Sequence, residues 1–481
     1  MTYEPVIGLE VHVQLKTSSK LFCGCSVQFG QDPNRNTCPV CMGLPGVLPV
    51  LNRQSVLLGL RAAIALNCRP APFFKFDRKN YFYPDLPKAY QISQYDLPLA
   101  LDGFLDVSVD GQARRVGLER VHMEEDAGKL VHAEPGHGVP AGTSFVDYNR
   151  AGVPLIEIVS RPDLRSSKEA HAYLDALKQI MRYIGVSDCD MEKGSLRCDA
   201  NVSIRPAGSS TLGVKAELKN LNSFKFVERA IDGEIARQTE ILQSGGKIVQ
   251  ETRGYDSASN TSHAQRSKEE AHDYRYFPEP DLPGFSLSPE NIESVRKNIP
   301  ELPAVRRARF LSEYHLPDYD ADVLTAESTM ADYFESVARE GADPKKASNF
   351  IMAELMHDLK SAGLSADQSP VNPRHLAELL KLVADGKISG KISKEIFPVM
   401  FKSGKSPAEV LKEENMELIS DAGVIAAFID QAIAENPKAV QDIKGGKQST
   451  LGFLVGQIMK KSRGQADPAL VTQELRKKFG L

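Results

Sequence analysis

The sequence lacks the features of a secreted or membrane-inserted protein. No apolar run among the 481 residues is long enough to span a bilayer. The N-terminus, Met-Thr-Tyr-Glu-Pro, has neither the basic nor the apolar segment of a secretory signal. A strong charge of one sign is also missing, because 59 Lys and Arg residues oppose 63 Asp and Glu residues, which gives a formal net charge of −4. This balance creates no overall field that attracts nucleic acid or membrane, so we expect a cytoplasmic protein without membrane contact.

Cysteine is scarce, and its placement argues against a disulfide framework. The chain has seven cysteines, an odd number, and four of them lie between residues 23 and 41. Cys23 and Cys25 form a C-x-C pair, and twelve residues later Cys38 and Cys41 form a C-x-x-C pair. Two close thiolate pairs suit tetrahedral Zn²⁺, and four thiolates leave no open position for water. The motif predicts a structural zinc site, with four reduced, buried cysteines as the alternative.

Two catalytic motifs are absent from the chain. The P-loop pattern G-x-x-x-x-G-K-[ST] does not occur, since Gly445-Gly-Lys-Gln-Ser449 lacks the upstream glycine. No arrangement of residues typical of an amidase nucleophile is present either. The sequence therefore excludes a P-loop ATPase and indicates that any ammonia used by this protein comes from elsewhere.

What the chain has instead is two clusters of side chains that are typical metal ligands. Three consecutive carboxylates at 124–126 follow closely after His122. Like charges this close repel, and a bound cation is the simplest compensation. Far upstream, Glu10 and His12 share one face of a strand in which apolar and polar residues alternate. Together the clusters favour a divalent-metal site rich in oxygen ligands. The alternative for His122–Asp126 is a solvated acidic loop. The alternative for Glu10 and His12 is the solvent-exposed face of a strand.

Three further segments carry charged side chains in recognisable patterns. Residues 75–91 interleave basic and aromatic side chains, which suits contacts with phosphates and bases. Alternation predicts strands over 196–205 and 214–219, each with one charged face. Residues 250–253 supply another carboxylate. A proline-punctuated loop and two solvated sheet faces would produce the same patterns, so each segment alone leaves both interpretations open.

Length and segment order predict an α+β protein of several domains. A proline-dense stretch at 274–283 cannot continue a helix or a central strand, and we place a domain boundary after it, near residue 295. The remaining chain is expected to be helical near 290–315, 328–340, 344–363, 373–384, 406–415, 420–435, 449–461 and 468–479. Residues 441–481 hold eight Lys and Arg against three Asp and Glu, a local charge of +5. A basic helical tail indicates nucleic-acid contact, with an ordinary solubilising terminus as the alternative.

These motifs, in this order, resemble one family, the B subunits of the bacterial aspartyl-tRNA(Asn)/glutamyl-tRNA(Gln) amidotransferase. The resemblance covers essentially the whole chain. The matching stretches are Val6–Gln14, Phe76–Gln91, His122–Lys129, Pro154–Ser160, Gly194–Val202, Lys215–Phe224, Gln250–Arg253, Tyr274–Pro280, Asp385–Ser389 and Leu451–Met459. The resemblance implies a cradle domain with a glutamine-synthetase/guanidino-kinase-like fold at 1–295. It also implies an all-α helical domain at 296–408 and a C-terminal tail domain that contacts tRNA at 409–481.

The resemblance implies a transamidation in two steps. ATP phosphorylates the side-chain carboxylate of misacylated Glu-tRNA(Gln), Asp-tRNA(Asn) or both, and ammonia then displaces the phosphate. The implied partners are the amidase (glutaminase) subunit of the amidotransferase, which supplies the ammonia, and its small third subunit. Carboxylate-bound Mg²⁺ fits such chemistry independently, since phosphoryl transfer between anions requires their charge to be neutralised.

The same resemblance implies the residues that bind Mg²⁺. One Mg²⁺ is expected on His12, Glu125 and Glu251. A second is expected on Glu10 and Glu217, with Glu124 as a further candidate. Contacts with phosphate or with the substrate carboxylate are expected from Lys79, Arg197 and Lys215. Structural Zn²⁺ is expected on Cys23, Cys25, Cys38 and Cys41.

Two other functions fit parts of the sequence. One is a metal-dependent ATPase or ligase that acts on another carboxylate. The other is a non-catalytic RNA-binding scaffold with structural zinc. The widely separated carboxylates speak against the scaffold, because a scaffold gains nothing from gathering acids that repel one another.

Overall fold

The computed structural model describes residues 2–132, 140, 142–267, 271–414, 422–444, 447–462, 465–466 and 468–480. The chain divides into two compact units, Met1–Leu302 and Pro303–Leu481. The first unit is mixed α/β and the second is helical. The boundary expected near residue 295 falls inside helix α4 (Pro289–Lys297), which belongs to the first unit because Val295 packs against Leu60 and Ile64.

A nine-stranded sheet forms the frame of the first unit. In spatial order its strands are β14 (Thr261–Ser267), β13 (Glu251–Asp256), β12 (Ala216–Lys219), β11 (Leu196–Pro206), β1 (Tyr3–Gln14), β10 (Pro154–Ser160), β7 (Gln112–Glu125), β6 (Ala100–Val109) and β2 (Arg69–Pro70). Neighbouring strands are antiparallel except β12 and β13, which are parallel. Strand β1 thus lies at the centre, between β10 and β11.

Strand β1 confirms the alternation seen in the sequence. Ile7, Leu9, Val11 and Val13 are fully buried in the main apolar core. The residues between them point to the opposite face. Strand β7 was not expected, because its acidic end at 124–126 suggested either a metal-binding loop or a solvated one. These three carboxylates are only 2–4% exposed, so the solvated loop is excluded.

Three small sheets complete the β structure of the described residues. Their strands are β3 (Phe73–Phe74) with β16 (Phe285–Ser286), β4 (Asp77–Asn80) between β5 (Tyr90–Ser93) and β15 (Phe277–Pro278), and β8 (Lys129–His132) with β9 (Ser144–Asp147). The segment 75–91, which composition allowed to be a loop, therefore contributes two strands.

Three helices pack on the apolar face of the large sheet. They are α1 (Arg53–Ala65), α2 (Ser167–Tyr183) and α3 (Phe224–Gln243). Helix α2 is capped at its start by Ser166, whose hydroxyl accepts a hydrogen bond from the Glu169 backbone N–H. Its buried stripe, including Tyr173, Leu174 and Leu177, joins the core under β1. Burial of these apolar faces leaves the polar face of the sheet free to form a site.

Every named secondary-structure element that the structure describes in the second unit is a helix. Its helices are α5 (Pro303–Glu313), α6 (Asp318–Leu324), α7 (Ser328–Arg339), α8 (Pro344–Phe350), α9 (Met356–Ala362), α10 (Pro373–Ala384), α11 (Gly390–Ser403), α12 (Pro407–Glu414), α13 (Ala422–Glu435), α14 (Pro437–Lys444), α15 (Leu451–Lys461) and α16 (Pro468–Phe479). Within the described ranges, none of the helices is both long and apolar enough to cross a membrane.

Three of these helices were missed in the sequence. Helices α6 and α14 are short, and α11 contains Pro398 in its interior, a residue that normally argues against a helix. The expected helix over 344–363 does form, but a π-helical turn at Ile351–Leu355 separates α8 from α9. The unit holds two apolar clusters, one from Phe310 to Leu411 and one from Ile425 to Leu475.

Candidate active site

A row of polar side chains crosses the centre of the large sheet. Strand pairing sets His12 on β1 opposite Arg197 on β11 and opposite Glu157 on β10. Glu157 in turn lies opposite His122 on β7. Directly paired residues point to the same face of a sheet. The strand register therefore gathers side chains from four distant parts of the chain.

His12, Glu124 and Glu157 form a group that could hold a cation. His12 Nε2 lies 3.5 Å from a carboxylate oxygen of Glu124 and 3.5 Å from one of Glu157. One potential ligand atom from each residue lies within 4.8 Å of the other two. His122 Nε2 is 3.1 Å from Glu157 and can fix the orientation of that carboxylate. The two buried carboxylates suit a hard divalent ion such as Mg²⁺ or Mn²⁺, whereas the imidazole is not a ligand that Mg²⁺ prefers.

The electrostatics of this group favour a positive charge at its centre. Burial alone would lower the pKa of His12, but the carboxylates of Glu157 and Glu124 raise it to about 9. Burial would raise the pKa of Glu157, but His122 and His12 hold it well below its usual range. The group can therefore keep a proton on His12 or hold a cation between the carboxylates. A metal ion has to displace that proton, so higher pH favours metal binding here.

Cationic side chains surround the carboxylates. Two cavities of about 370 and 1200 Å³ share His12, Lys79 and Lys219 among their lining residues, and Arg197 lines the smaller one. Lys219 Nζ lies 2.6 Å from Asp199 and 3.2 Å from Glu217. Burial would lower the pKa of Lys219, but these two carboxylates raise it. We refer to the two cavities together as the central cavity. Its mixture of anions and cations can bind metal ions and anionic groups side by side.

Asp126 lies beside the smaller part of the central cavity and orders its cationic wall. Its carboxylate accepts hydrogen bonds of 2.9 Å from Arg197 Nη2 and from Gln14 Nε2. Arg150 Nε lies 3.6 Å from the same carboxylate. Burial would raise the pKa of Asp126, but Arg197 and Arg150 lower it. The charged carboxylate thus holds the Arg197 guanidinium in a fixed position.

A second acidic group lies in the larger part of the central cavity. Glu10 accepts a hydrogen bond of 2.9 Å from Asn201 Nδ2, and Glu217 accepts one of 2.9 Å from Thr252 Oγ1. Asp199 lies directly opposite Glu10 in the strand register. Glu10 and Glu217, predicted together from the sequence, therefore do line one cavity.

Glu125 and Glu251 are not brought together with His12. Glu125 is adjacent to Glu124 on a strand and points to the other face, where its carboxylate lies 2.6 Å from Lys88 Nζ. Glu251 is next to Thr252 on strand β13. Thr252 lines the central cavity, so Glu251 points to the opposite face of the strand. The Glu251 carboxylate instead pairs with Arg253 and lies 3.5 Å from Arg237 of α3. The geometry thus differs from the expected group because neighbouring residues of a strand point to opposite sides.

The three predicted anion contacts are placed differently. Lys79 and Arg197 line the central cavity. Lys215 precedes strand β12 and is not among the residues that line that cavity. Lys219, four residues later on the same charged face, lines the central cavity.

Aromatic side chains form part of the cavity wall. Lys79 Nζ lies 4.8 Å from the centre of the Tyr274 ring, and Tyr81 packs edge to face on that ring at 6.0 Å. Tyr95 stacks on Tyr276 with 4.3 Å between ring centres. Phe82, also on the wall, is 82% exposed. Such rings can stack with unpaired bases.

The four cysteines predicted to bind zinc converge in the structure. Their sulfur atoms all lie within 4.8 Å of one another. Zn–S bonds of about 2.3 Å place sulfurs about 3.8 Å apart in a tetrahedral site, so the thiols fit this ion. A hydrogen bond from Cys23 lowers the pKa of Cys41 to about 4. Only Cys41 is buried and the other three are partly exposed, so packing in a core does not explain the group.

Two residues that line the central cavity, Glu157 and Lys219, are not among the site residues expected from the sequence. Lys219 was predicted only as part of a charged strand face, and Glu157 lies in one of the stretches that carry the family resemblance. A signal for Glu157 exists, because it is the single charged residue within the apolar run Val153–Val159. Burial of a lone carboxylate in a central strand requires a partner, and His12 and His122 are its partners.

The sheet, its buried carboxylate–histidine group and the cationic cavity define an enzyme of mixed α/β architecture with a separate helical unit. Comparison with known proteins identifies its family. The GatB/GatE catalytic domain matches residues 5–293, and the GatB domain matches residues 332–479. The chain therefore belongs to the GatB family of amidotransferase B subunits, and the resemblance stated above is confirmed.

Individual relatives match over the whole length. The aspartyl/glutamyl-tRNA(Asn/Gln) amidotransferase B subunit of Carboxydothermus hydrogenoformans is 56% identical over 477 residues, which is 99% of each chain. The proteins of the same name from Moorella thermoacetica and Geobacter sulfurreducens are each 54% identical, over 479 and 480 residues and 100% of each chain. An amidotransferase subunit with a catalytic domain is an enzyme component, which argues against a pure scaffold.

Proposed function

We propose that this chain is the kinase and transamidase subunit of a tRNA-dependent amidotransferase. Its substrates in this proposal are Glu-tRNA(Gln), Asp-tRNA(Asn) or both, the pair named for its relatives. The observation that carries the proposal is the central cavity, where His12, Glu124 and Glu157 lie close to Lys79 and Arg197. The sheet unit is then the cradle domain, with the glutamine-synthetase/guanidino-kinase-like fold.

The proposed reaction solves a problem of leaving groups. A side-chain carboxylate is a poor acyl donor, because attack by ammonia would have to expel oxide. Transfer of the γ-phosphoryl group of ATP to the carboxylate gives an acyl phosphate, and ammonia then attacks the carbonyl carbon and releases phosphate. Both ATP and the substrate carboxylate are anionic. Lys79, Arg197 and Lys219 neutralise these charges and hold the reacting groups together.

Metal ions are proposed at two positions. Mg²⁺ would supply further charge neutralisation at the phosphoryl group. Its ligands in this proposal are His12, Glu124 and Glu157, in place of the group that included Glu125 and Glu251. Glu10 and Glu217 are the proposed ligands of a second Mg²⁺. Structural Zn²⁺ is proposed on the four clustered cysteines.

The nucleic acid is proposed to reach this cavity by its unpaired 3′ end. Phe82 and Tyr83 are 82% and 52% exposed at the cavity wall, and bases can stack on such rings. The basic last turns of α15 and α16 are proposed to contact tRNA phosphates, as part of the tail domain at 409–481. Residues 296–408 form the proposed helical domain, which lies between the cradle domain and the tail domain in the sequence.

Ammonia is proposed to come from the amidase (glutaminase) subunit, with the small third subunit completing the complex. Free ammonia at neutral pH is mostly ammonium, which is not nucleophilic. A partner that delivers it through a closed path avoids protonation and loss to bulk water.

The test is a transamidation assay with the co-purified complex. We expect Gln-tRNA(Gln), Asn-tRNA(Asn) or both to form from the mischarged tRNA only with ATP and Mg²⁺, with release of ADP. Correctly charged Gln-tRNA(Gln) serves as the control substrate and should not stimulate ADP release. ATP hydrolysis that ignores the mischarged tRNA, with no amide formed, would contradict the proposal.

A further inference from the structure

Lys20 is buried in an environment that calls for explanation. Of the lysines in the described part of the chain, it alone is fully buried, at 0% exposure. Burying an ammonium group costs much free energy unless it is paired with negative charge. Its hydrogen-bond acceptors are the Asn36 carbonyl at 2.7 Å, the Tyr148 carbonyl at 3.2 Å and Cys41 Sγ at 3.6 Å. No carboxylate of the described residues forms an ion pair with it. Of its three acceptors, only Cys41 Sγ can carry a negative charge.

The acceptors of Lys20 belong to two segments that are distant in sequence. Asn36 lies in the loop between the two cysteine pairs, and Tyr148 lies in the segment Asp147–Val153. The two segments are also joined directly. The Asn36 N–H donates to Asn149 Oδ1 at 2.7 Å, and Asn149 Nδ2 donates to the Asp32 carbonyl at 2.7 Å. Hydrogen bonds from Lys20, together with hydrogen bonds between the two segments themselves, thus join the cysteine loop to Asp147–Val153.

Gly152 brings the backbone of the segment Asp147–Val153 close to Lys20 and Cys41. Gly152 has φ +86°, and a Cβ atom there would lie 3.4 Å from Lys20 Cδ and 3.6 Å from Cys41 Cβ. The Gly152 carbonyl accepts a hydrogen bond of 2.8 Å from the Leu21 N–H. The glycine turn therefore lies next to the lysine and to the cysteine cluster.

The same segment reaches the central cavity through Asp126. The Gly152 N–H donates to the Asp126 carbonyl at 2.8 Å, and the Asp126 N–H donates to the Val153 carbonyl at 2.8 Å. Arg150 holds the backbone after Asp126 by donating to the Ala127 carbonyl at 3.0 Å. Asp126 in turn fixes Arg197. A continuous set of hydrogen bonds runs from the cysteine cluster to the cationic wall of the cavity.

We propose that Lys20 is a positioning residue that couples the cysteine cluster to the segment Asp147–Val153 and, through Asp126, to the central cavity. A metal tetrathiolate carries excess negative charge, which Lys20 neutralises while it ties both segments together. Occupation of the cluster by a metal then holds the cavity wall in place. This inference rests on the proposed zinc, but its tests need neither the substrate nor any partner protein.

The first test is Lys20→Met in the full chain, with Lys16→Met as the matched control. Lys16 is exposed a few residues earlier, so its replacement removes the same charge without touching the cluster. We expect Lys20→Met to release zinc to a chromogenic chelator about tenfold faster, and to speed hydrogen exchange at the Tyr148 and Gly152 amides about tenfold, because a hydrogen bond to a charged group is lost. In the cobalt-loaded chain, the sulfur-to-metal charge-transfer band should move to lower energy. Lys16→Met should change none of these properties.

Two other perturbations keep the test decisive if Lys20→Met does not fold. Removal of zinc from the wild-type chain with a chelator should raise exchange at Tyr148 and Gly152. Asn149→Ala, which leaves Lys20 and the cysteines intact, should raise it too. The proposal is overturned if zinc removal leaves these amides as protected as before. It is also overturned if Lys20→Met and Lys16→Met behave alike. A wild-type chain that binds no zinc yet protects these amides would equally exclude the coupling.

Discussion

Replacing Glu124 and Glu125 by glutamine, one at a time, separates two roles that adjacent carboxylates play. Both changes remove one negative charge and keep the shape of the side chain. Glu124 points into the central cavity, 3.5 Å from His12, whereas Glu125 points away from it and pairs with Lys88 at 2.6 Å. The structure therefore predicts a loss of metal affinity for one variant and a loss of stability for the other.

The expected magnitudes follow from burial. The Lys88 and Glu125 side chains are only 9% and 3% exposed, so Glu125→Gln leaves a buried ammonium unpaired. Breaking such a pair costs ~3–5 kcal/mol of unfolding free energy. That loss lowers the melting temperature by on the order of 10 °C. Glu124→Gln should leave the melting temperature near that of the wild type and weaken Mg²⁺ binding by at least about 10–100-fold, the loss expected even for a residue that only orients a metal ligand.

Thermal unfolding in chelator and a Mg²⁺ titration of ATP consumption by the complex measure both effects. The double variant Glu125→Gln/Lys88→Met is the control, because removing both partners of a buried pair should recover much of the stability. The reasoning is refuted if Glu125→Gln weakens Mg²⁺ binding at an unchanged melting temperature while Glu124→Gln binds Mg²⁺ normally. That result would restore the group of His12, Glu125 and Glu251.

Three further predictions concern zinc, tRNA and ammonia. Replacing Cys38 and Cys41 together with Ser should remove about one zinc per chain, measured by metal analysis, and lower thermal stability, whereas retained stoichiometric zinc would disprove the site. Truncation after Glu414 keeps the apolar cluster that ends at Leu411 and removes the one that begins at Ile425. It should weaken tRNA binding and flatten its salt dependence, and an unchanged salt slope would show that the basic tail is only solvated. The isolated chain should phosphorylate its substrate but use only high ammonium at raised pH as nitrogen donor. Transamidation with glutamine as efficient as that of the complex would contradict the division of labour.

Local patterns in the sequence decided much of the fold. The alternation in β1, the start of α2 at Ser166 and the spacing of the four cysteines each depend on residues close in the chain. Strand and helix periodicity, capping and ligand spacing are local properties, so they can be read without tertiary structure. The long motifs in their order also identified the family. Local patterns did not predict helix α11, because its interior contains Pro398, a residue that normally argues against a helix.

Only the tertiary structure decided which acids meet His12. Glu157 joins the site because β10 pairs with both β1 and β7 in one register, and a shift by one residue would turn every side chain to the other face. The same rule excludes Glu125 from the group around His12. Glu124 and Glu125 are the last two residues of strand β7, so their side chains point to opposite faces of the sheet. The sequence by itself predicted that carboxylates and histidines would come together. The pairing of strands determined its members, because register is set by contacts between residues far apart in the chain.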